Sequence, residues 1–75
     1  MSDESKPLPI SGAFSKAVPG CTYRHRKGMV YTVLHIGFME GDLSPVVIYQ
    51  GITGAVWVRP KAEFEDGRFV MVLEP

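Results

Sequence analysis

From position 21 onward the chain is built of short runs of β-branched, aliphatic and aromatic residues, each cut off by glycine, proline or acidic residues. That punctuation predicts strands joined by turns. CTYRHR (21–26) predicts a first strand. Lys27-Gly28 predicts a tight turn in which Gly28 takes the positive φ that other residues resist. MVYTVLHIGFM (29–39) predicts a long second strand, with Gly37 inside it marking a bulge or bend. EGDLSP is a loop, VVIYQ (46–50) a third strand, GITG a glycine-bounded turn and AVWVR (55–59) a fourth strand. PKAEF follows, and Pro60 suits the first position of one 3₁₀ turn. RFVMVLE (68–74), after an EDG turn, is the last strand. Five strands with a 3₁₀ turn before the last predict an all-β fold, a small five-stranded SH3-like barrel. An OB-fold would place a helix between the third and fourth strands, where only four residues stand.

Side chains alternate faces along a strand, so each strand offers two sets. The even set runs Val30, Thr32, Leu34, Ile36, Phe38, then Val46, Ile48, Val56, Val58, Val70 and Val72, almost purely aliphatic. The odd set runs Tyr23, His25, Tyr31, Val33, His35, Val47, Tyr49, Trp57, Arg59, Phe69, Met71 and Leu73, aromatic and polar. Two assignments stand. With the even set inside, the odd set exposes a cluster of Tyr and Trp beside His25 and Arg59, a surface able to bind planar or apolar groups. With the odd set inside, Trp57 and Tyr49 are packing, as aromatics in small barrels often are, and a bulge in the second strand exchanges the two faces partway along it.

Length and charge narrow the picture. Seventy-five residues make one thin-cored domain. We divide it into an N-terminal arm or tail over 1–20, rich in Pro, Ser and Gly, and the barrel over 21–75. KPLPI reads as extended, and Ile10, Phe14 and Val18 allow a short turn around 11–16. The first dozen residues carry Asp3 and Glu4 and no apolar run, unlike a secretory signal. No apolar stretch approaches the roughly 20 residues of a membrane span. The single cysteine, Cys21, fits a reducing compartment, so we expect a soluble, cytoplasmic protein. Neither a zinc site nor any cofactor motif is readable from Cys21, His25 and His35. Net charge is zero, which argues against a dedicated nucleic-acid binder, yet the basic RHRK at 24–27 stands apart from acidic EGD and EFED. A thin core with Phe69, Met71 and Leu73 on one strand face makes a homo-oligomer an expectation as well.

The candidate chemistry is that of binding. Tyr23, His25, Tyr49, Trp57 and Arg59 form the candidate ligand face, with the aromatics stacking and Arg59, anchored before Pro60, gripping an anionic group or pairing with Glu63 or Glu65. Arg24, Arg26 and Lys27 form an alternative set that would follow a single-stranded nucleic-acid backbone. His25 and His35 titrate near neutrality and could share a face, and Cys21 lies near Arg24 and His25. Neither His comes with a nucleophile or paired carboxylate at readable spacing, so an enzyme built on His25 or Cys21 is the third reading and no catalytic set is assigned.

YRHRKGMVYTVL, VVIYQG and WVRPKAEF, in that order, resemble a family of small bacterial proteins known as domain of unknown function sixteen-fifty-three. The matching positions are Tyr23, His25, Lys27 and Gly28, then Tyr31, Val33 and Leu34, then Val46, Val47 and Tyr49, then Trp57 to Pro60, and Phe64. The resemblance covers about 23–65. The loop FMEGDLS replaces the family's His-Ser-Glu-Thr-like segment, and Ile52-Thr53-Gly54 replaces its Leu-Tyr-Gly turn. The resemblance implies a small SH3-like barrel and no particular activity. The residues themselves point to a non-catalytic module for a peptide, protein or small anionic ligand.

Overall fold

The computed structural model describes residues 16–72. Their five strands are β1 (Thr22–His25), β2 (Val30–Phe38), β3 (Pro45–Gly51), β4 (Val56–Pro60) and β5 (Phe69–Met71), with one helical turn, α1 (Lys61–Phe64), before the last. All pairings are antiparallel, in the order β4-β3-β2-β1-β5. The sheet is open: β4 and β5 are its edges, and the barrel expected from the sequence is not closed. On the inner face, Phe64 of α1 and Ala17 pack into the core that closure would otherwise have covered. α1 is an α turn where a 3₁₀ turn is expected, because the Glu65 N–H reaches the Lys61 carbonyl four residues back.

Both hairpin loops at one end of the sheet close in the same way. The His25 N–H donates to the Met29 carbonyl and the Gly28 N–H to His25. The Gly51 N–H donates to Ala55 and the Gly54 N–H to Gly51. Each loop therefore has three residues and ends on a glycine at positive φ, Gly28 at 105° and Gly54 at 93°. The first is one residue longer than the tight turn read from Lys27-Gly28.

The odd set faces the core. Tyr23, Val33, Val47, Tyr49, Phe64 and Phe69 are buried together, and Phe64 stacks on Phe69 at 4.1 Å between centroids. The even set, aliphatic as it is, lines the open face, where Val56, Val58 and Val70 are exposed. The large rings win the interior because they bury more area each and meet edge-to-face without gaps. The irregularity in β2 lies between Val33 and His35, whereas Gly37 pairs regularly with Val46. It exchanges the faces, so Ile36 packs on the core and His35 pairs with Ile48 on the open side. His25 and His35 therefore do not share a face. The Phe69 and Met71 side, expected as an exposed oligomer patch, is the core side, and Leu73 lies outside the described residues.

The chain just before β1 is tied down. The Ala17 N–H donates to Glu65 Oε2 at 2.8 Å, the Val18 N–H to the Tyr23 hydroxyl at 2.7 Å, and that hydroxyl donates to the Lys16 carbonyl. Residues 16–20, grouped with the arm by sequence, thus pack on the sheet; the turn expected around 11–16 falls almost wholly outside the described residues. Burial alone would raise the Glu65 carboxyl, but the Ala17 N–H and the Lys61 ammonium outweigh it and hold it below its ordinary value. A carboxylate with a depressed folded pKa lends full stability above its unfolded value of about 4.3, and loses it as pH falls through the folded one. Glu65→Gln is expected to cost about 1 kcal/mol at neutral pH and to flatten the decline of urea midpoints below about pH 5. Parallel acid limbs in the two proteins would show that Glu65 carries none of that dependence.

Candidate functional site

A cleft opens at the end of the sheet where the two hairpin loops lie side by side. Strand order places them there: Tyr31 at the start of β2 pairs with Gly51 at the end of β3. Lys27, Gly28 and Met29 form one wall and Ile52 and Thr53 the other, with Tyr31, Gly51 and Trp57 between them. The space is about 560 Å³ and mostly apolar. A Cβ on Gly51 would lie 3.3 Å from Tyr31 Cε1 and 4.0 Å from Trp57 Nε1, so the missing side chain is what lets the Tyr31 ring approach the backbone. Trp57 pairs with Tyr49 and shares its face, but β4 is an edge strand, so the indole remains 52% exposed. Met29 is likewise half exposed, and Ile52 is 90% exposed at the lip.

The five residues of the expected ligand face all lie on the core side of the sheet, but they divide in exposure. Tyr23 is fully buried and Tyr49 nearly so, leaving neither with surface to offer a ligand. Arg59 serves the scaffold: its Nε donates to the Tyr49 hydroxyl at 3.2 Å, its Nη1 lies 3.5 Å from Glu63, and its guanidinium sits over the Phe69 ring. His25 meets Phe69 edge-on at 4.9 Å, and its Nδ1 accepts the Lys27 N–H. Burial, then the charges of Arg59, Arg26, Lys27 and Arg68, lower its pKa, so it is neutral at physiological pH. Of the five, Trp57 alone lines the cleft. Tyr31 stood in the odd aromatic set but not among the five, and Gly51, Met29 and Ile52 were missed by the sequence reading. Gly51 directly after a strand ending in Tyr-Gln was the one available signal, because a glycine there permits a ring to cross it.

Cys21 is half-buried against the core, and no hydrogen bond joins it to His25. Among the described residues no three His, Cys, Asp or Glu gather as a metal site requires, and no helix is long and apolar enough to cross a membrane. The basic set fares differently from Arg59. Arg59, Lys61 and Arg68 are paired with Glu63, Glu65 and Asp66, whereas Arg24, Arg26 and Lys27 form no close ion pair among the described residues. Arg24 and Arg26 border a second hollow of about 460 Å³ on the β1–β5 side, with His25 and Val70.

Residues 21–70 match the family model described as "Protein of unknown function (DUF1653)", which spans most of the chain, so the protein belongs to that family. No curated protein and no solved structure matches it.

Proposed function

Within that family, we propose that this protein is a small non-catalytic binding module whose contact surface is the cleft between the two hairpin loops. The observation that carries this reading is the half-exposed Trp57 indole beside Tyr31 over Gly51, an aromatic floor left open beside a core that buries Tyr23, Tyr49, Phe64 and Phe69. Exposing a tryptophan forgoes burial energy, and concave apolar surfaces with an aromatic floor are where small ligands and side chains dock. Met29 and Ile52 supply apolar walls, and Lys27 adds a cation at the rim. The strand order, with one helical turn before the last strand, supports classing the sheet as SH3-like even though its edges do not meet. The lone half-buried Cys21 suits a reducing, cytoplasmic setting.

Titrating the labelled protein with N-acetyl-phenylalaninamide and following amide and indole N–H signals tests the cleft. Shifts confined to Tyr31, Gly51, Ile52 and Trp57 are expected, and Trp57→Ala should remove them. Shifts elsewhere, or none at millimolar probe, would sink the reading.

A further inference from the structure

Arg24 stands on the open face of β1, level with Val30 and Val70, and Arg26 and Lys27 follow in the loop, so the basic set rounds the hairpin tip to the cleft, where Lys27 is itself a wall. Arg26 opens the three-residue loop, its N–H donating to the Arg68 carbonyl at 2.9 Å, two residues beyond Arg24. All three residues are exposed, and none has a carboxylate within ion-pair distance among the described residues, although Arg26 acts on Asp66 from farther off. The nearby carboxylates are already taken: Asp66 holds Arg68 through three contacts of 2.9–3.1 Å, and Glu63 and Glu65 hold Arg59 and Lys61. Glu40 and Asp42 lie in the β2–β3 loop, at the opposite end of the sheet. The hairpin end is thus a cationic track leading to an apolar aromatic cleft, despite a net charge of zero for the whole chain.

Resting on the cleft reading above, we propose that the occupant is a single-stranded nucleic acid, its phosphates along Arg24, Arg26 and Lys27 and a base stacked on Trp57. A cluster of cations beside an open indole matches a chain that repeats one negative charge and one planar ring per unit. An acidic peptide supplies the charges but no ring at each step. Nothing in the cleft reads base edges through a set of directed donors, so binding tolerates sequence and favours no duplex.

The test is anisotropy of a labelled oligothymidine of about ten nucleotides with the full chain, between about 50 and about 200 mM salt. Three phosphate contacts at a slope of about −0.7 each give about −2 overall, or nearly twentyfold weaker binding across that range. Arg24→Gln, Arg26→Gln and Lys27→Gln combined should bring the slope close to zero. Trp57→Leu should weaken binding about tenfold at every salt and leave the slope unchanged. Unaltered amide spectra in both variants establish that they fold. No oligonucleotide binding at low salt, with N-acetyl-phenylalaninamide still shifting the cleft, overturns the nucleic-acid assignment and leaves the cleft standing. Loss of both signals removes both readings. A salt slope indifferent to the triple substitution, or polyglutamate of equal length competing as well as the oligonucleotide, also overturns it.

Discussion

Replacing Phe64 by alanine is expected to remove most of the protein's stability. Phe64 is wholly buried, stacks on Phe69, and meets Tyr23 at 5.1 Å and Tyr49 at 5.3 Å edge-on. It is the main apolar side chain that α1 contributes to the core, so its loss opens a hole the sheet cannot collapse into. Phe→Ala in a core costs about 3–5 kcal/mol. Domains have about 5–15 kcal/mol in total, and a chain this short lies toward the low end. Urea unfolding of wild type and Phe64→Ala, followed by Trp57 fluorescence, measures the difference. A loss under about 1 kcal/mol would mean that the core does not depend on α1. Phe64→Leu, which keeps much of the volume, should fall between the two.

Tyr23→Phe is expected to free the chain before β1 while keeping the ring packing. The Tyr23 hydroxyl receives the Val18 N–H and donates to the Lys16 carbonyl. Burial raises its pKa above the ordinary tyrosine value, against the Val18 N–H, so it stays a neutral donor through the working range. Phenylalanine retains the edge contact with Phe64 and leaves two part-buried backbone groups without partners, a cost of about 1–3 kcal/mol. Hydrogen exchange should accelerate at Ala17 and Val18 far more than in β2 or β3. Uniform acceleration would show a global loss of stability; unchanged exchange at Val18 would show that the hydroxyl does not hold the segment.

The two predictions draw on features that differ in how far the sequence foretells them. Tyr23 reads as a strand residue, but nothing local says that its hydroxyl meets a segment five to seven residues earlier. Phe64 reads as one apolar residue on a helical turn, and its partners lie on β1, β3 and β5. The candidate site follows the same division. Trp57 stands out in the sequence as a lone tryptophan beside an arginine. That Arg59 is spent on Tyr49, Phe69 and Glu63, while Tyr31 and Gly51 complete the cleft, depends on which strands are neighbours.

The sequence by itself determined the strand content, the places where glycine must turn the chain and the family. Those rest on local matters: period-two alternation, β-branched runs, and the positive φ that only a residue without a Cβ takes easily. The tertiary structure alone decided which face is the interior. Both strand faces are apolar, and period two is symmetric between them, so no local term separates an aliphatic face from an aromatic one. The choice came from where α1 delivers Phe64, from the extra residue near Leu34 that turns Ile36 inward, and from the larger area that the rings bury together. The same choice left Val56, Val58 and Val70 in solvent and placed an open aromatic floor at the end of the sheet, between two three-residue loops.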